Sequence, residues 1–526
     1  MKINSKEFYN TEVMGITTWS KINGITSAIN WASIFTYTTG ATTDITAWIG
    51  ASVTTNVTIP DIINGASVTV APSTTFRANA VVTSVNINST VSFVGDSMVN
   101  AFNACYGLTS VNAIPDSVTG MGYAFIFCNN LVTAPTIGAN VTNMSAAFYN
   151  CTNLINAPTI GANVTNMAFA FAYCNKLVNT TTLPNSISNM EFTFQNCTNL
   201  IDSPDIPSNV VNMAGTFGYC TSLVNVPTIP DAVTNTASLF SYCSSLVTAP
   251  MIGVNTTNMR STFYACNHLV GDITITSPEV ANFTTCFFGS NASLAKIVYV
   301  QPGSNTYNLA VNTINGANGV TVRTFDEIFT YTTGATTNVT AWIGSAISNK
   351  VAIPNIINGA AVVINSPTFR YKTTLAYVNI ASNVSFVSNN AYGAFMGDTN
   401  LINVDTIPNS VTSTEQMFYQ CTNLINAPII GSSVASLNYA FAYCSKLVSM
   451  TNIPNSVNNM IGTFISCVNL IGNIFIESSN VSNFTTCFTG CNASKAKTVY
   501  VPAGSNTYNL AVNTIDGKNG VTVVGR

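Results

Sequence analysis

The sequence predicts a β-rich solenoid built as two tandem stacks of 23-residue coils, with β caps and short helical turns. Three observations predict it: a cysteine recurs every 23 residues, fixed companions surround each cysteine, and a longer duplication repeats the segments that flank each stack. A period between 20 and 50 residues marks stacked repeats. One such unit cannot bury its own apolar face and must share a core with its neighbours.

The cysteines come first. Cys105, Cys128, Cys151, Cys174, Cys197, Cys220, Cys243 and Cys266 each follow the last by 23 residues, and Cys421, Cys444 and Cys467 resume the step. Counting from the cysteine, position −3 is Phe, from Phe102 to Phe263 and again at Phe418, Phe441 and Phe464. Position +3 is Leu, from Leu108 to Leu269 and at Leu424, Leu447 and Leu470. One more unit has Phe395 and Leu401 with Asp398 in the cysteine slot, which makes eight units and then four. Stacking places Phe on Phe, Cys on Cys and Leu on Leu in one continuous core. Pro or Gly at +10 (Pro115, Gly138, Gly161, Pro184, Pro207) marks a corner.

The duplication sets the domains. IFTYTTGATTDITAWIG at 34–50 recurs as IFTYTTGATTNVTAWIG at 328–344, and SNTYNLAVNTINGANGVTV at 304–322 recurs as SNTYNLAVNTIDGKNGVTV at 505–523. The expected organisation is an N-terminal docking segment (1–33), a first module (34–323) with eight coils between two caps, and a second module (328–526) with four.

Units such as NVTNMSAAFYNCTNLINAPTIGA (140–162) and NVTNMAFAFAYCNKLVNTTTLPN (163–185) resemble the BspA-like leucine-rich repeats of bacterial surface proteins. The Val-Thr-Asn-Met run, the Ala-Phe-x-x-Cys-x-x-Leu core and the later Ile-Pro carry the resemblance, which covers most of the chain. It implies one short parallel strand per coil, about 4.8 Å from the next, and a helical or irregular turn between Met and Cys. It also implies a surface or phage-particle component without an assigned activity.

Composition narrows the function. Charged residues are 7% of the chain and the net charge is −3, which leaves no basic patch for nucleic acid. Thr, Asn and Ser interrupt every apolar stretch, so membrane insertion is not expected. MKINSKEFYNTEVMGITTWS lacks the apolar core of a secretory signal, and the expectation is release without one, as from a virus particle. The segment 1–33 nevertheless carries Phe8, Tyr9, Trp19 and Trp31. That is much apolar surface for a solvated tail. It either packs on the first module or docks on virion proteins or sister chains.

Catalytic chemistry finds little support. His268, the one histidine, sits at +2, where other units have Gly107, Asn130, Asn153, Lys176, Asn199 or Ser222. A slot that accepts any polar residue is not a general acid–base site. The acids Asp116, Asp205, Asp231 and Asp272 occupy separate turns, unlike the close pair that glycoside cleavage needs. Cysteines spread along a line do not converge on a metal, and flanked by Phe and Leu they read as reduced packing residues. Neither cofactor nor metal is expected. Tyr149, Tyr173, Tyr219, Tyr242 and Tyr264, one or two residues before a cysteine, are the candidate surface contacts. Two readings stand for them: they bind neutral host-surface glycans through stacking and amide hydrogen bonds, or they seal the turn. The expected function is non-enzymatic: a virion-exterior structural or adhesion protein of bacteriophage type, or alternatively a bacterial cell-surface adhesin.

Overall fold

The computed structural model describes residues 30–50, 55–226, 229–346, 348–450 and 452–526. It is a right-through stack of coils whose buried columns are those of the repeat. Phe rings stack in a row from Phe76 to Phe287, with centroids 5.2 to 5.9 Å apart. A second row runs from Phe369 to Phe488. Both rows thus extend one ring beyond the periodic Phe-x-x-Cys or Phe-x-x-Asp units at either end. The offset geometry is the favoured one for aromatic pairs.

The Val-Thr-Asn-Met run is explained position by position. Val141 and Met144 are fully buried. The hydroxyl of Thr142 donates to the Thr119 carbonyl, and that of Thr165 to the Thr142 carbonyl, coil after coil. The asparagines form the principal bridge between coils: Asn143, Asn166, Asn189, Asn212, Asn235 and Asn258 pair in parallel, each with the next. Their side chains add a ladder, Asn235 Nδ2 donating to Asn212 Oδ1 at 3.2 Å and Asn258 Nδ2 to Asn235 Oδ1 at 3.1 Å. The same Oδ1 accepts the amide two residues on, as Ala237 N does at 3.1 Å, closing an Asx turn.

Between Met and Cys the irregular form is found, not a helix. Amides alternate in direction. Met121, Tyr123, Phe125 and Phe127 donate to the carbonyls of Asn143, Ser145, Ala147 and Tyr149 in the next coil, while Ala124, Ile126 and Cys128 donate three residues back in their own. The φ angle is positive at −5 and −1, as at Tyr123 (59°) and Phe127 (63°), the sign a type II turn requires at its third residue. Strands within the coils are mostly single bridges. Longer strands and the helices lie in the caps.

Each leading cap is a hairpin (Phe35–Thr39 with Thr43–Trp48; Phe329–Thr332 with Thr336–Trp342) whose second strand runs parallel to Ala66–Val70 or Ala360–Ile364. Each closing cap is a parallel sheet, three-stranded in the first stack and four-stranded in the second, with one helix, Asn305–Thr313 or Asn506–Thr514. Ser304 and Ser505 cap those helices by accepting from Tyr307 N and Tyr508 N. A fully buried lysine fixes each closing sheet. Lys296 Nζ donates to the carbonyls of Asn291, Leu294 and Asn318 at 2.8 to 3.0 Å, which satisfies its three protons.

Two hydrophobic cores result, one running from Phe35 to Val320 and one from Phe325 to Val521. Met251 and Tyr299 belong to the second core although they lie in the first run of coils. Asp231 Oδ2 accepts from Asn355 Nδ2 at 2.6 Å and from Asn383 Nδ2 at 2.8 Å, so the second stack is tied to the flank of the first.

Candidate functional site: the cysteine edge of the coils

The segment from −5 to +5 presents a varied set of residues to solvent in each coil. The backbone dictates it. Position −1 is left-handed in every coil, held by Ala104, Phe127, Asn150, Tyr173, Asn196, Tyr219, Tyr242 and Ala265 in turn. Few non-glycine residues tolerate that region, and here inter-coil hydrogen bonds such as Tyr173 N to Gln195 O (2.7 Å) impose it.

The five candidate tyrosines fall into two groups rather than one stripe. Tyr149 and Tyr173 have ring centroids 5.2 Å apart. Tyr219 stacks on Tyr242 at 4.4 Å, and Tyr242 lies 5.2 Å from Tyr264. Gln195 and Asn196 hold the intervening coil's slots and separate the groups. Phe127 extends the first group (5.8 Å from Tyr149) and Phe288 the second (5.6 Å from Tyr264). The second stack has its own pair, Tyr419 and Tyr443, at 5.3 Å. Phe127, Tyr419 and Tyr443 lie in the same −2 and −1 slots and were readable from the period, whereas Phe288 takes the −2 slot only when the extra residue before Ser290 is counted. Where rings stack on one another, their faces are occupied within the ladder.

Two further rows accompany the tyrosines. Position +4 is an aliphatic row, exposed at Val132, Ile155, Val178, Ile201 and Val247 and again at Ile425, Val448 and Ile471. Beside it, +2 is mostly amide or hydroxyl. Asn153 Nδ2 reaches Asn130 Oδ1 at 3.4 Å, and Asn423 Nδ2 reaches Asn400 Oδ1 at 3.4 Å. Lys176 and Lys446 are the cations of this row, both exposed.

The remaining chemistry is structural. All fourteen cysteines are free and buried. Each ladder thiol donates to the Phe carbonyl of the preceding coil, as Cys174 Sγ does to Phe148 O at 3.1 Å. Burial pushes the Cys174 and Cys220 thiols up to about 12, which removes the thiolate that reactivity needs. In the closing caps that same bond is made by Ser290 to Phe263 O (2.9 Å) and by Cys491 to Phe464 O (3.1 Å). Ser290 and Cys491 are therefore the true ladder positions there, and Cys286 and Cys487 are not. His268 is exposed, with Nδ1 2.5 Å from the Ser244 carbonyl oxygen. Asp116 accepts from Ala139 N at 2.7 Å. Burial raises the Asp272 carboxyl, against the opposing pull of Ser348 and Lys350. Among the described residues no three His, Cys, Asp or Glu are placed to hold a metal, and no helix is long and apolar enough to cross a membrane. Of the docking residues, Trp31 stacks on Phe35 at 6.4 Å and packs on the first core. Phe8, Tyr9 and Trp19 lie outside the described residues.

A stack of short coils with Phe, Cys and Leu columns is a leucine-rich-repeat architecture. The chain belongs to the BspA type leucine rich repeat family, whose model matches residues 1–132, 69–200, 144–270, 190–307 and 349–497. No curated protein matches it. Among solved structures it is similar to a leucine-rich repeat protein from Bacteroides ovatus, at 18% identity over 94% of this chain and 98% of that one, with a TM-score of 0.41. A leucine rich cell surface protein from Faecalibacterium prausnitzii is 20% identical over 92% and 96%, with a TM-score of 0.23. The leucine rich repeat protein of T. pallidum is 18% identical over 38% and 96%, with a TM-score of 0.27.

Proposed function

We propose that this chain is a non-enzymatic surface protein displayed on a bacterial cell, and that it works by adhesion through the cysteine edge of its coils. The observation that carries the reading is the family repeat itself, matched along most of the chain. The repeat fills the interior with packing residues and leaves long, nearly uncharged rows outside, which suits broad, multipoint contact. The tyrosine groups and the +2 and +4 rows are the contact surface. Surface proteolysis of intact cells tests it. The chain should be cleaved without lysis, and protection until lysis would end the cell-surface reading.

A second reading, a virion-exterior protein of a bacteriophage, is favoured by one feature. Fourteen free thiols suit folding in a reducing cytoplasm. In that case residues 1–33 attach the chain to other virion proteins or sister chains. A chain lacking them should fold but fail to enter purified particles, and normal incorporation would argue against the attachment.

A further inference from the structure

The two stacks share more than their architecture. TNLINAP at 152–158 recurs unchanged at 422–428, AFAYC at 170–174 recurs at 440–444, and KLV at 176–178 recurs at 446–448, all 270 residues on (152 to 422). Identity in the buried columns is expected from packing alone. It also covers residues that face solvent: Asn153 and Asn423, Ile155 and Ile425, Lys176 and Lys446, Val178 and Val448. The tyrosine pair recurs at the same offset, Tyr149 with Tyr173 and Tyr419 with Tyr443. At +11, +12 and +14 of the same coils the residues have changed. Ala162, Asn163 and Thr165 stand against Ser432, Ser433 and Ala435. The edge is thus largely held in common, with polar replacements at Asn150 (Gln420), Asn175 (Ser445) and Asn179 (Ser449), while the later segment of the same coils is not.

The chemistry of the patch is specific. Its lysine is a departure from a slot that is otherwise neutral in the repeats (Asn130, Asn153, Asn199, Ser222, Ser245). The two ion pairs among the described residues are Arg323 with Glu327 and Arg526 with Glu477, so neither Lys176 nor Lys446 has a carboxylate partner there. In the second stack Asn423, Ile425 and Lys446 of the patch border a groove of about 330 Å³ that continues over Asn400, Ile402 and Ala376 of the preceding segments. One cation, a row of amides and an aliphatic strip match a chain of pyranose rings. Their C–H faces lie on the aliphatic residues, their hydroxyls meet the amides and a carboxylate meets the ammonium. A nucleic acid would need several cations per patch to match its charge density.

We infer that these two patches are equivalent binding sites for a carboxylated polysaccharide, each reading one carboxylate through Lys176 or Lys446, and that one polymer chain engages both. This rests on the surface-contact reading above. The test is binding of the full chain to immobilised polygalacturonate, with dextran and poly-glutamate as comparisons. Polygalacturonate should bind and the other two should not. K176Q or K446Q should each weaken binding roughly two- to fivefold, as loss of one exposed charge contact does. The double variant should lose more than about tenfold, because the linked second contact is lost as well. Unchanged thermal unfolding of the variants confirms that they fold. No binding to polygalacturonate, equal binding to dextran, or a double variant that binds like the parent overturns the inference. Equal or tighter binding to poly-glutamate overturns it in favour of an acidic protein partner. Surface proteolysis reads the location separately. A chain that is exposed on cells but does not bind loses only the ligand, and a chain that is not exposed loses the function first.

Discussion

At the scale of residues, the interior is built of stacked columns, with Val and Met columns beside those of Phe, Cys and Leu, and each column has its own physics. Phe171 lies between Phe148 (5.5 Å) and Phe194 (5.7 Å) and is almost wholly buried. Phe171→Ala should cost about 3–5 kcal/mol, since coils locked by hydrogen bonds have little room to close the cavity. His268→Ala should be nearly silent in the same thermal unfolding measurement, and similar effects of the two would contradict the column assignment. The thiols are donors to carbonyls as well as fillers. Native protein should therefore react with almost no thiol reagent, and denatured, unreduced protein should titrate close to all fourteen cysteines. A large shortfall would mean disulfides and a different core. The Phe, Cys and Leu columns were legible because their period is exact. The left-handed −1 position was not, because Asn, Ala, Phe, Tyr, Gln and Ser fill it in most coils and glycine only in the Asp398 coil and the two closing coils (Gly397, Gly289, Gly490). One inserted residue in each closing coil likewise hid Ser290 and Cys491 behind Cys286 and Cys487.

At the scale of elements, the coils are interchangeable and their ends are not. Deleting 152–197 removes two periods in register and should leave a shorter, folded first stack with lower but still cooperative stability. A deletion of half a period should break the columns, and the idea fails if circular dichroism shows both proteins equally folded. The first coil of the second stack carries two acids where the first stack has neutral donors. Cys105 donates to Phe76 O and Asn112 Nδ2 to Ile87 O, whereas Asp398 and Asp405 stand 293 residues on (105 to 398, 112 to 405). Asp398 is fully buried with Oδ2 unpartnered, and its neighbours are Lys372, whose amide it accepts at 2.6 Å, and Cys421. Burial pushes it up to about 8 and Asp405 up to about 7. An unfolded Asp titrates near 3.9. The folded state therefore keeps protons that the unfolded state has lost. Stability is fullest below about pH 4, falls as pH rises through that interval, and levels off above about pH 8. D398C combined with D405N should flatten this slope. A parent protein whose melting temperature does not change between pH 4 and 8 would refute it.

At the scale of the whole molecule, the two stacks meet at a small polar clamp. Asp231 holds its own stack through Val254 N (3.3 Å) and reaches Asn355 and Asn383 across the junction. Asp231→Ala should leave coil stability nearly intact but broaden the distribution of interstack angles. Small-angle scattering would show this as a larger maximum dimension, and an unchanged scattering curve would mean that Met251 and Tyr299 suffice. The stacks were legible from repetition, and the clamp was not. Asp231 shares its +11 slot with Ala139, Ala162 and Asn185, and nothing in the period shows which copy of a turn will meet another stack.

The alternating amides of the Met-to-Cys segment have a mechanical consequence. Half of them join one coil to the next along the stack axis, so the coils form links in series when the ends are pulled apart. Each link is a handful of parallel hydrogen bonds loaded in the peeling direction, and the links should fail one after another. Each 23-residue coil would release about 80 Å of chain at full extension. A tether of this kind lengthens under flow at modest force and can recover its coils when the load is removed.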